Sequence, residues 1–216
     1  MLEENGVRCT LVEGESNAML VDTGFGTGDL RAACEKLTQK PIFVVTTHAD
    51  GDHVGCNALF ETFYMHPAEY DRYAEKTGTS PAFYTPLWEG QVLELGTYHF
   101  EVVLIPGHTP GSIALLEREA RLLIGGDSVQ RGAIFMFGPG RNMPAFKTSM
   151  EKMMTLVPHF DTVIPSHGPL QVKADVVEEL LEGANNMLKG NITGEDPQRD
   201  LPCQLYRYKG VAFLAP

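Results

Sequence analysis

Between residues 48 and 53 the chain reads His48-Ala49-Asp50-Gly51-Asp52-His53, four side chains able to bind a metal within six positions. Imidazole nitrogens and carboxylate oxygens are ligands for zinc, iron and manganese. The segment follows an apolar run, Ile42 to Thr46, so a strand end and a glycine-bearing turn can aim all four groups at one point. Taken by itself it could also be a solvated acidic turn with two incidental histidines. Three further places repeat the pattern of an apolar strand delivering a metal-competent side chain beside glycine or proline. They are His108 in IPGHTPGS, Asp127 in LLIGGDSV and His167 in VIPSHGP. A lone loop histidine is more often a surface residue. Several such places in one chain argue for a metal centre.

In this order the segments resemble the five short motifs of the metallo-β-lactamase superfamily. Asp22 in LVDTG matches the first, residues 48–53 the second, His108 the third, Asp127 the fourth and His167 the fifth, so the resemblance spans nearly the whole chain. It implies an α/β (α+β) fold, the four-layer αββα metallo-β-lactamase sandwich. It also implies two divalent metal ions, one held by His48, Asp50 and His108, the other by Asp52, His53 and His167, with Asp127 bridging them. Asp22 is implied to be structural, tying the metal loop by hydrogen bonds rather than ligating.

Position 50 departs from the family pattern, H-x-H-x-D-H, by placing Asp where the second His would stand. Three carboxylates and a bridging hydroxide carry four negative charges, enough to neutralise two divalent ions, whereas a histidine at 50 would leave one positive charge in excess. Such a site is harder and less electrophilic, favouring iron or manganese beside zinc, and its bridging water should be less acidic. Alternatively Asp50 does not ligate and one metal position is weak. The substitution also resembles the flavodiiron proteins, which place a Glu there. A redox role would need a separate electron-delivering partner, since no flavodoxin-like segment occurs before Pro216.

The chemistry expected of such a centre is hydrolysis of a small ester, thioester, lactone or phosphoester by a metal-bridging hydroxide, with Asp127 and Asp52 as the catalytic carboxylates. The segments around His108 and Asp127 resemble the glyoxalase II-like branch. The competing readings are a diiron redox protein and a non-catalytic binding protein with a degraded metal site. Ser112 and Ser128 are expected to satisfy loop backbone groups. Tyr84, Trp88, residues 135–141 and Lys147 are candidate pocket walls, with ordinary packing and surface charge as the alternative. His66, His99, His159 and Cys56 are left out of the site.

The 216 residues, 43% hydrophobic, carry a formal charge of −11 without a basic stripe. A single domain over 1–216 is expected, with a small-molecule substrate and neither nucleic acid nor membrane as partner. The start, MLEENGVRCT, has no signal-like apolar stretch, so a cytoplasmic location is expected. Cys9, Cys34, Cys56 and Cys203 are scattered and expected to be reduced thiols. The resemblance implies one or two strands before residues 7–12. The chain is therefore expected to be short at its start and to leave a sheet edge open to pairing in a homodimer.

The elements that must position these groups follow from hydrophobic periodicity. A hairpin is expected at 7–12 and 18–22, a helix over 28–38, a strand over 42–46, a short helix ending at 57–63 and a strand at 64–65. A helix over 67–76, a loop over 78–88 and strands at 91–95, 98–105, 112–117 and 121–125 follow. A long connection over 126–145, a helix over 146–157, a strand over 161–165, a helix over 173–189 and a hairpin over 203–214 complete the reading.

Overall fold

A computed structural model describes residues 1–81 and 84–216. Its contacts divide the chain into two compact units, Met1–Val103 and Leu104–Pro216.

In the first unit β1 (Leu2–Glu4), β2 (Val7–Glu13), β3 (Ala18–Val21), β4 (Ile42–Val45), β5 (Phe63–Met65) and β6 (Tyr84–Pro86) form one sheet in chain order. β1, β2 and β3 are antiparallel neighbours, while β3 through β6 run parallel. The apolar runs AMLV and IFVV suit central strands packed on both faces. Helix α1 (Leu30–Glu35) is shorter than expected and starts where the Asp29 carboxylate accepts the Ala32 N–H at 2.9 Å. A four-residue helix, α2 (Gly51–Val54), follows β4. Pro67 opens a 3-10 turn that runs into α3 (Tyr70–Thr77), which Gly78 ends with φ +72°. β7 (Val92–Glu94) and β8 (His99–Leu104) form a hairpin. The core gathers Cys9, Leu20, Cys34, Val44, Ala49, Val54, Phe63, Met65 and Tyr73.

In the second unit β9 (Ile113–Glu117), β10 (Leu122–Gly126), β12 (Thr162–Pro165) and β13 (Val172–Lys173) are sheet neighbours, with β10 and β12 parallel. β11 (Gly132–Phe135) pairs parallel with β15 (Val211–Ala215), which pairs antiparallel with β14 (Gln204–Tyr208). Helices α4 (Met143–Leu156) and α5 (Val176–Leu188) pack together, and Phe146 of α4 meets Phe213 edge-on at 5.7 Å.

Two expectations need correction. The connection over 126–145 is not all loop. Residues 132–135 form β11, because β15 offers them a ladder, and α4 begins at Met143, where the Asn142 side chain caps the Ala145 N–H. Within the loop expected over 78–88, Tyr84–Pro86 is an edge strand, a place where Pro86 is tolerated; Ala82 and Phe83 of that loop lie outside the described residues. Ahead of β2, residues 2–4 form β1, whose Glu4 carboxylate accepts the N–H groups of Phe25 and Thr27 at 2.7 and 2.8 Å and so fastens the loop beyond Asp22. Among the described residues no helix is long and apolar enough to cross a membrane.

Candidate metal centre

The residues of the first unit stand at the carboxyl ends of the parallel strands β3 and β4, where open α/β sheets place their ligands. Asp22 follows β3 with φ +62° and is 1% exposed. Its Oδ1 accepts the Thr47 N–H at 2.7 Å, and its Oδ2 accepts the Thr47 hydroxyl and the Nδ1–H of His53, each at 2.8 Å. Since the Thr47 hydroxyl donates to Asp22, its oxygen accepts from His48 Nδ1 at 3.0 Å. One buried carboxylate therefore fixes the tautomer of both histidines and leaves their Nε2 atoms as the nitrogens that could bind a metal. The two rings lie 4.0 Å apart, centroid to centroid.

Close backbone approach makes this possible. A Cβ on Gly55 would lie 2.2 Å from the carbonyl carbon of Phe25, so only glycine lets the turn after His53 seat against the loop after Asp22. Asn57 ties the same layer, accepting from the Thr23 hydroxyl at 2.6 Å and donating to Thr46 Oγ1 at 3.1 Å.

In the second unit Asp127 follows β10 and His167 follows β12, again at the ends of parallel neighbours. His108 Nδ1 donates to the carbonyl of Phe135, the last residue of β11, at 2.9 Å, which turns Nε2 to Asp127. The His108 loop is anchored by α4. The Asn142 N–H donates to the Gly107 carbonyl at 2.8 Å, and the Ser149 hydroxyl donates to that of Pro106 at 2.6 Å. Ser112 serves the loop as expected, accepting the Thr109 N–H at 3.0 Å.

The spacing of the donor atoms tests whether this set suits a metal. His48 Nε2 lies 3.5 Å from Asp50 Oδ2, and His53 Nε2 lies 3.7 Å from Asp52 Oδ2. Asp127 Oδ2 lies 3.6 Å from His108 Nε2 and 3.4 Å from His167 Nε2. These separations are long for hydrogen bonds. They match two atoms each about 2.1 Å from one tetrahedral ion, which stand roughly 3.4 Å apart. Each unit thus brings its own share of the expected ligands together at metal-sharing distance.

Sequence reasoning missed two residues here. Glu69, fully buried at the N-cap of α3, accepts the Ala49 N–H at 2.7 Å, and Arg72 in the first turn of that helix donates to Asp50 through both Nε and Nη2. Their only sequence signal is an i, i+3 acid and base on a helix whose position beside the metal loop is a tertiary fact.

Elsewhere the residues singled out in the sequence make local contacts. His66 Nδ1 accepts the Ala68 N–H at 3.2 Å as a cap, and burial pushes its pKa down. Cys9, Cys34 and Cys56 are buried free thiols raised by desolvation, Cys34 to about 11. Tyr84 packs near Phe63 and Tyr70, and Phe135 against Phe137. Lys147 pairs with Glu151 at 2.6 Å, while Trp88 is 53% exposed.

The model of the metallo-β-lactamase superfamily matches residues 2–182. An acyl-coenzyme A thioesterase of chicken, MBLAC2, is 29% identical over 204 residues, covering 76% of this chain and 74% of the relative. A hydroxyacylglutathione hydrolase of Haemophilus influenzae, GloC, is 29% identical over 144 residues, 58% of this chain and 68% of the relative. Among solved structures, the di-iron-bound form of TTHA1623 superposes with a TM-score of 0.65 at 29% identity, covering 80% of this chain and 92% of the other. A metallo-β-lactamase from Pontibacter korlensis gives 0.70 at 18% identity over 83% and 87%. The fold is that of the α/β metallo-β-lactamase sandwich. The chain belongs to the metallo-β-lactamase superfamily and is a metal-dependent hydrolase.

Proposed function

We propose that the protein hydrolyses a small ester or thioester at a dinuclear centre, with His48, Asp50 and His108 on one divalent ion, Asp52, His53 and His167 on the other, and Asp127 on both. The carrying observation is Asp127 Oδ2, set 3.6 Å from His108 Nε2 and 3.4 Å from His167 Nε2, so that one carboxylate stands beside histidines assigned to each of the two ions. Two divalent ions held there would supply Lewis acidity and hydroxide at neutral pH.

The chain's own residues supply orientation. Asp22 and the Phe135 carbonyl keep the Nε2 lone pairs of His48, His53 and His108 turned inward. In the reaction the acyl carbon gains hydroxyl, its bond to the leaving oxygen or sulfur breaks, and the proton of water ends on the alcohol or thiol released. Asp52, 23% exposed and so open to solvent, is assigned the relay of that proton. Thioesters stand first among substrates because two relatives are a thioesterase and a hydroxyacylglutathione hydrolase. The di-iron form of TTHA1623 supports iron beside zinc and manganese.

The test is elemental analysis of protein purified without added metal, followed by a screen of thioester, lactone and phosphodiester substrates with each metal. Two ions per chain and thioester turnover are expected. A coloured oxo-bridged iron pair without hydrolysis would favour the redox reading, and a protein that binds no metal would end the proposal. A monomer in light scattering would dispose of the homodimer proposed from the sheet edge.

A further inference from the structure

The geometry points to Arg72 as the positioning residue for ligand 50, forming with Asp50 a single unit that stands in for the histidine of the usual motif; the inference rests on the dinuclear reading above. Both Nε and Nη2 of Arg72 grip one oxygen of Asp50, Oδ1. The carboxylate is thereby oriented with its other oxygen, Oδ2, 3.5 Å from His48 Nε2. A free carboxylate could bind an ion through either oxygen or both, whereas one held this way presents a single oxygen, as an imidazole presents a single nitrogen.

Charge follows the same logic. The two side chains are 15% and 14% exposed, so neither is well screened by water. A guanidinium remains cationic at any working pH. The Asp50–Arg72 unit is therefore neutral, like the imidazole it replaces, and the excess positive charge on two divalent ions is restored. This revises the expectation that Asp50 makes the centre less electrophilic.

Helix α3 fixes the unit from behind. Glu69, one helical turn before Arg72, accepts the N–H of Ala49, the residue between His48 and Asp50, at 2.7 Å. The same helix thus sets the backbone of the metal loop through Glu69 and the side chain of Asp50 through Arg72.

The experiment compares the wild type with R72M, D50H and D50H/R72M, reading bound zinc, iron and manganese by elemental analysis against a competing chelator, and thermal unfolding of the metal-free proteins. R72M should weaken binding at one of two positions by about 10–100-fold, the effect usual for a lost outer partner. D50H should also bind weakly, because it sets an imidazole against the guanidinium. D50H/R72M should regain two ions and prefer zinc over iron, and the metal-free proteins should show the same non-additivity. If D50H alone binds two ions as tightly as the double variant, or R72M binds as the wild type does, the pairing is refuted. Wild-type metal content reports separately on the dinuclear reading.

Discussion

Asp22→Asn changes one atom of a side chain that is not expected to touch a metal, yet it should empty part of the centre. Asn tolerates the left-handed backbone at φ +62°, so the loop can keep its path. Its Oδ1 can still accept the Thr47 N–H now held at 2.7 Å. The other oxygen becomes an amide that only donates, and it faces His53 Nδ1 at 2.8 Å and the Thr47 hydroxyl at 2.8 Å. His53 must then accept at Nδ1 and carry its proton on Nε2, the atom needed for ligation. One bond to a charged acceptor is lost, about 1.5–3 kcal/mol, and metal affinity should fall about 10–100-fold. Asp22→Ala should cost more in the metal-free protein, since it strands the Thr47 N–H and adds roughly 1–2 kcal/mol of left-handed strain. Chelator competition with elemental analysis gives the first quantity, thermal unfolding of metal-free protein the second. A folded D22N protein that holds its ions as tightly as the wild type would refute the tautomer argument.

Asp127→Ala and His108→Ala should each lose bound metal by more than the roughly 100-fold of an outer-partner variant, with activity falling in step; retained activity in either removes the dinuclear mechanism. Gly107→Ala would place a Cβ 2.4 Å from the Phe146 Cα at a residue with φ +140°. It should destabilise by about 2–4 kcal/mol, and an unchanged melting temperature would show that α4 does not clamp the His108 loop. Glu179, bonded to Arg131 at 2.7 Å, is held below its ordinary pKa chiefly by that bond. A depressed carboxylate stabilises the fold above its unfolded pKa and loses that contribution as pH falls through its folded value. Glu179→Gln should therefore cost about 1 kcal/mol at neutral pH and progressively less in acid, which denaturant titrations at several pH values would show; a gap that does not narrow contradicts the assignment.

The candidate ligands were legible because they obey local rules. His48 and His53 sit at a strand end beside glycines, and the order of Asp22, His108, Asp127 and His167 was enough to suggest one centre. What supports the ligands was not legible. Residues 132–135 look like loop because β11 becomes a strand only when β15, far along the chain, offers it a ladder. β13 is two residues long, too short for any periodic signal, and exists by pairing with β12. Glu69 and Arg72 fall within the helix expected over 67–76, but nothing local in the sequence sets that helix against the metal loop. Charge counting at position 50 weighed Asp50 without Arg72, whose guanidinium grips one of its oxygens.

The bond from His108 to the Phe135 carbonyl also sets an order of events. Phe135 lies opposite Leu214 in the β11–β15 ladder, and the Met136 N–H donates to the Leu214 carbonyl at 2.7 Å. During synthesis the His108 ring therefore has no fixed backstop until the strand over 211–215 has emerged and docked. Non-local pairings of this kind form late in folding. The groups that orient His48 and His53 lie within the first unit, whereas the backstop of His108 depends on a strand, β15, beyond the segment matched by the family model.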